Sequence, residues 1–249
     1  MGAPTAAQLI WLWDRRSAAP AHCRLEPLLA AMEPQAVLGD DTLGMRNRRL
    51  LALHAAVSET PLDARLRCAA CGTDNEFRVP AAAILACPAP GPATRVTIAF
   101  GRRRLTFRLP LMADIHAARG SEAADILAQI VARCRIAPAG DDPVPEAVLA
   151  RLAARFEELD PAARIVVDLR CAECRATLLA SVDIAEFVAA RIDAIVDGLL
   201  RQIDVIAGAY GWSERAILAL PAGRRAAYVE MIAARAPTGR ARAPQALRA

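Results

Sequence analysis

The most regular feature of the chain is a run of apolar positions at Ile184, Val188, Ile192, Ile195, Leu199, Ile203 and Ile206. They recur every three or four residues, the period of one face of an α-helix, and predict a single long helix with a continuous apolar stripe. Asp197 and Arg201 fall on its polar side, spaced to pair. Gly208 and Gly211 favour a stop there. The segment GWSERAIL then restarts a helix, with Ser213 as N-cap, Glu214 in the first turn and Trp212 placed to staple onto Ile217. Leu220–Pro221 ends it, and a last helix is expected from about Ala222 to Arg235.

Upstream the period changes twice. Residues 1–60 read as a helical region: Leu9, Ile10, Leu12 and Trp13 follow Thr5, and TLGMRNRRLLALHAAVSE gives a second, arginine-rich helix. Residues 61–183 then show three short alternating segments, each a candidate β-hairpin. These are ARLRCAACGTDNEFRVP, TRVTIAFGRRRLTFRLP (turning near Gly101) and ARIVVDLRCAECRATLLASVD. Each is expected to lead into a helix through FRVPAAAIL, FRLPLMADI or LASVDIAEF, a faint internal repeat. Between the hairpins, SEAADILAQIVARC is expected as a helix capped by Ser121. VPEAVLARLAARFEEL is expected as another, with Pro145 near its start and Val148, Leu149, Leu152, Phe156 and Leu159 on one face. The acidic, proline-rich PAGDDPVP between them reads as a flexible junction. Residues 184–235 form a C-terminal helical region, and 236–249 read as a disordered basic tail. The fold class expected is α+β, mostly helical.

Composition reinforces the helical bias. Of 249 residues, 55% are hydrophobic but only 4% aromatic, with alanine filling much of the apolar quota; alanine favours helix and is depleted in sheets. Every basic residue is arginine, and the net charge of +4 is too mild to argue for nucleic acid. No apolar run is long enough to span a bilayer and no signal-peptide pattern is present, so a cytoplasmic protein with reduced thiols is expected.

Reduced thiols change how the cysteines read. Cys68 and Cys71 return as Cys171 and Cys174, both pairs after a Leu-Arg dipeptide at the end of a predicted strand. A CxxC turn covers half of a tetrahedral metal site, and a second one from another hairpin completes it, as in a zinc ribbon. Gly72 after Cys71 permits the tight turn; Arg175 stands at the matching place. A shared structural zinc on Cys68, Cys71, Cys171 and Cys174 is the reading favoured over a redox pair, which would sit at a helix N-terminus, and over metal-free thiols. Cys134 falls on the apolar face of its helix, and Cys23 and Cys87 read as small apolar fillers. His22, His54 and His116 lack metal-ligand spacing, and Asp40–Asp41 and Asp141–Asp142 read as solvated turns. No phosphate loop, nucleophile elbow or dinucleotide fingerprint is present, so no catalytic residues are assigned. The GRRRL turn reads as a charged hairpin tip.

The stretch from Leu169 to Ile232 resembles the C-terminal half of a family of small baseplate proteins of contractile-tailed phages and phage-tail-like injection systems. The marks are the CxxC knuckle, a strand, a long helix, then Tyr210, Gly211, Trp212, Ser213, Leu218, Leu220, Arg224, Arg225 and Tyr228. The likeness is specific over 164–232 and looser over 45–136, where Cys68, Cys71 and TFRLP…ADI also fit. The family often has Pro after the first Cys and Gly after the second, where this chain has Ala69, Ala172 and Arg175. The resemblance implies a non-enzymatic baseplate or hub component, or an assembly factor, made in the cytoplasm of the producing bacterium. Its partners would be other baseplate or hub proteins, with Trp212, Tyr210, Tyr228, Arg224 and Arg225 on the contact surface. It implies no small-molecule substrate and no membrane. A zinc-ribbon nucleic-acid adaptor is the competing reading; the near balance of acidic and basic residues and the lack of knuckle aromatics speak against it. A redox or metal-dependent enzyme has only the CxxC pairs in its favour.

Overall fold

The computed structural model describes residues 2–15, 23–91, 94–120, 122–138, 140 and 142–235. His22, Ser121, Asp141 and the tail from 236 lie outside them. The described residues form an α+β fold with small antiparallel sheets. In chain order they are α1 (Ala6–Arg15), α2 (Glu26–Met32), α3 (Leu43–Val57), β1 (Asp63–Arg67), β2 (Asp74–Arg78), α4 (Ala81–Ala86), β3 (Arg95–Phe100), β4 (Arg103–Arg108) and α5 (Met112–Ala117). They continue with α6 (Ala123–Cys134), β5 (Arg135–Ala137), α7 (Glu146–Leu159), β6 (Ile165–Arg170), β7 (Thr177–Val182), α8 (Ile184–Tyr210), α9 (Glu214–Leu218) and α10 (Ala222–Arg235).

All three expected hairpins form, as β1–β2, β3–β4 and β6–β7, and each leads into a helix: α4, α5 and α8. The alternation Leu178, Ala180, Val182 buries one face of β7 and leaves Leu179 exposed on the other. The strand β5 was not expected. The apolar period of α6 runs up to Cys134, but the chain then extends and adds Arg135 and Ala137 to the edge of β4. A strand this short has no pattern of its own; it is set by the open edge beside it.

Two principal cores result. The first is built from α1, α2, α3, the outer ends of hairpins β1–β2 and β6–β7, and the first half of α8. It therefore draws on residues 1–60, 61–183 and 184–235 together. The second lies between hairpin β3–β4 and the helices α6 and α7, around Phe107, Cys134, Val148 and Leu152. Cys134 is fully buried there, as its spacing predicts. A carboxylate joins the two: Asp160, buried at the end of α7, accepts the N–H of Gly44 at 3.0 Å in the first turn of α3. A Cβ on Gly44 would fall 1.8 Å from Asp160 Oδ1, so the close approach requires glycine. Asn47 Nδ2 donates to the Ala162 carbonyl at 2.8 Å beside it.

Helix α8 begins at Asp183, whose Oδ1 accepts the N–H groups of Ala185 and Glu186 at 2.9 and 3.2 Å. The buried stripe is Ile184, Val188, Ile192, Val196, Leu199 and Ile206; Ile195 and Ile203, expected at its centre, are half-buried at its margin. Gly208 continues the helix, and Gly211 ends it in the left-handed conformation (φ 68°). The expected ion pair between Asp197 and Arg201 does not form among the described residues. Other polar expectations also shift. Asp41 is not a solvated turn residue: it is buried and bonded to Arg49 Nε at 2.5 Å, next to the Thr42 N-cap of α3. Cys23 and Cys87, expected as small apolar fillers, are half-buried. No helix among the described residues is long and apolar enough to cross a membrane.

Candidate metal centre

Hairpins β1–β2 and β6–β7 close in the same way. The last strand pairs are Arg67 with Asp74 and Arg170 with Thr177, so each loop holds the same number of residues. In the first, the Gly72 N–H donates to the Cys68 carbonyl (2.8 Å) and the Cys68 N–H to the Thr73 carbonyl (2.9 Å). In the second, the Arg175 N–H donates to the Cys171 carbonyl (3.1 Å) and the Cys171 N–H to the Ala176 carbonyl (2.9 Å). The repeat noticed in the sequence is thus a repeat of backbone geometry. Gly72 sits at φ 77°, and Arg175, at the equivalent position, at φ 61°. The second knuckle keeps its shape although its residue has a Cβ that disfavours this conformation.

The two knuckles face each other. Cys68 Sγ lies 3.7 Å from Cys174 Sγ, and Cys71 Sγ lies 3.6 Å from Cys171 Sγ. All four sulfurs fall within 4.8 Å of one another, although 100 positions separate Cys71 from Cys171. The four sequence-predicted ligands are therefore brought together, and they can hold one metal ion. Cys68 and Cys171 are buried, with Leu66, Leu169, Ala176 and Leu178 packed around them; Cys71 and Cys174 face outward.

The electrostatics are those of thiols crowded at one point. Backbone N–H groups of Cys174 and Glu173, with the neighbouring thiols, hold the Cys171 thiol down to about 6. The Thr73 hydroxyl and N–H lower Cys71 as well. Cys174 receives the Ala176 N–H, which favours its thiolate, yet contact with Cys71, burial, Cys68 and Cys171 push it up to about 12. Some thiols give up protons readily and others hold them, because four adjacent thiolates repel; a cation between them removes that repulsion.

Asn75 on β2 is a site residue that sequence reading missed. It is buried, its Oδ1 accepts the Ala172 N–H at 2.9 Å, and its Nδ2 lies 3.7 Å from Cys171 Sγ and 3.0 Å from the Thr73 carbonyl. One side chain thus ties the first hairpin to the second knuckle and points a donor at a ligand sulfur. Asparagine amid the polar residues after a CxxC turn looks like ordinary turn chemistry, so nothing in the one-dimensional pattern marks it.

The residues expected on a partner surface divide. Tyr210, Trp212 and Tyr228 come together: Tyr210 stacks on Trp212 with centroids 5.1 Å apart, and Tyr228 meets both edge-on at 5.6 and 5.1 Å. Trp212 joins this group and remains 37% exposed, while Ile217, its expected staple partner, is fully buried. Arg224 is exposed. Arg225 is buried: its guanidinium donates to the Leu220 carbonyl (2.5 Å) and to Gln202 Oε1 (3.2 Å), tying the α9–α10 corner to α8. Comparison with protein-family models, with curated proteins and with solved structures finds no match.

Proposed function

We propose that this chain is a non-enzymatic structural or assembly component of the baseplate of a contractile phage tail or phage-tail-like injection system, its two hairpins clamped into a ribbon by a structural zinc. The metal is read from the donor set. Four thiolates suit zinc, and a Zn–S bond of about 2.3 Å in a tetrahedron puts sulfurs roughly 3.8 Å apart, against the 3.6 and 3.7 Å found here. A site closed by four protein ligands leaves no position for a substrate, which suits a structural role.

The observation that carries the functional reading is the aromatic group Tyr210–Trp212–Tyr228. These are residues on which the family resemblance rests, and they gather at one place at the surface, with Trp212 exposed and Tyr210 and Tyr228 half-buried against it. The same helices also expose Val205 and Met231. Aromatic groups that leave part of their surface open serve as anchors in protein interfaces. The partner is another baseplate or hub protein.

The test is genetic and structural. Removing the gene from a producing bacterium should abolish assembled contractile tails in electron micrographs. The wild-type chain should restore them, and Trp212→Ala/Tyr228→Ala should not, although that variant retains its metal. Normal tails without the gene overturn the reading; full rescue by the double variant means that the surface is elsewhere.

A further inference from the structure

A second group of metal-ligating side chains lies apart from the four-cysteine cluster. Donor atoms of Cys23, Glu26 and His116 all fall within 4.8 Å of one another, and all three residues are half-buried. His116 Nε2 stands 2.7 Å from Glu26 Oε1. Nothing in their spacing along the chain announces this, because His116 comes from a different part of the fold.

Packed elements hold the three in place. Cys23 and Glu26 lie three residues apart on the turn entering α2, and Leu25, Leu28 and Leu29 seat that turn in the first core. His116 rides on α5, which is anchored by buried Met112 and by Asp114, whose two oxygens accept from Arg108 at 2.5 and 2.8 Å. The Met112 N–H also donates to the Asp41 carbonyl at 2.8 Å, fixing α5 against the start of α3.

We propose that Cys23, Glu26 and His116 form a second metal site, taking a divalent zinc-class ion on one sulfur, one nitrogen and one oxygen, with the fourth coordination position open to water. A thiolate, a carboxylate and a neutral imidazole are each ordinary zinc ligands, and tetrahedral coordination places such donors roughly 3.3–3.7 Å apart, so His116 Nε2 and Glu26 Oε1, in direct contact at 2.7 Å, part to admit the ion while all three donors stay within 4.8 Å. Burial and the Glu26 carboxylate push the Cys23 thiol up, against the pull of two guanidinium groups, those of Arg46 and Arg119. Arg46 also faces Glu26 and Asp183, and the Arg119 guanidinium donates to the carbonyls of His116 and Ala118. These charges offset the thiolate and carboxylate, so this site binds its ion more weakly than the four-cysteine cluster. This inference stands independently of the baseplate reading.

The experiment is a cobalt titration of the full chain after metal removal, followed by absorption. Wild type should take up two equivalents: one with the intense thiolate charge-transfer bands of a four-sulfur site, then a weaker-binding one with a single-thiolate contribution. Cys23→Ser, Glu26→Gln and His116→Gln should each abolish the second equivalent and leave the first spectrum unchanged, which also reports that the variant is folded. Cys171→Ser should remove the first spectrum instead. Saturation of wild type at one equivalent overturns the proposal, as does a second equivalent that survives both Cys23→Ser and Glu26→Gln.

Discussion

Arg175 shows how much a single position can be overruled by its surroundings. Its φ of 61° is the conformation that Gly72 takes in the first knuckle, and an L-residue there costs about 1–2 kcal/mol. The backbone accepts that cost because the hydrogen bonds of the second knuckle and the facing sulfurs leave no other path. Arg175→Gly should therefore raise stability by about 1 kcal/mol without changing metal content, and Gly72→Ala should lower it by about the same amount. Denaturant unfolding of the metal-loaded protein checks both; a destabilised Arg175→Gly contradicts the assignment. The four clustered cysteines and buried Cys134 were legible from their setting, as was Ser213 as a cap; the Thr42 cap of α3 was not foreseen. Asn75, Gly44 and Asp160 were not, since each acts through a residue about a hundred positions or more away.

At the scale of elements, α8 was read as one helix with one stripe; the helix forms, but the stripe shifts, with Val196 buried and Ile195 and Ile203 at its margin. Its first half is covered by α1 and α3, and its second half by α9 and α10 folding back. That fold-back rests on few groups: Ile206 and Ile217 buried between the helices, the Arg225 bonds, and the aromatic group. Aromatic pairs contribute about 0.5–1.5 kcal/mol each beyond their buried area. Tyr228→Ala removes two of the three ring contacts, so α10 should open locally about 1–3 kcal/mol more easily. Amide exchange across 222–235 measures this; it should quicken there and stay unchanged in hairpins β1–β2 and β6–β7. Equal protection in the variant would mean that the rings do not hold the helix.

For the molecule as a whole, the four cysteines fasten together two hairpins that enclose the second core in the sequence between them. A metal ion held there would act as a cross-link across a long loop. Chelation of the ion, or Cys171→Ser, should cost more than about 3 kcal/mol, the scale of losing a disulfide. Cys134→Ser, also fully buried but outside the cluster, should cost about 1–3 kcal/mol for a hydroxyl placed among apolar groups. Thermal unfolding of the three forms beside wild type gives the order; equal melting temperatures for wild type and Cys171→Ser would rule out a structural metal.

Local pattern alone marked most of the helices, the three hairpins and the four cysteines that come together, because periodicity, caps and tight turns are properties of neighbouring residues. The tertiary structure decided everything that depends on meeting across the chain. It placed the N-terminal helices on the first half of α8 and formed β5 on an open sheet edge. It buried Asp41 and Asp160 against α3, drew Arg225 inward and left Trp212 out, and gathered Cys23, Glu26 and His116. A side chain's local sequence sets what it can bond to; which partner arrives is fixed only when the cores pack.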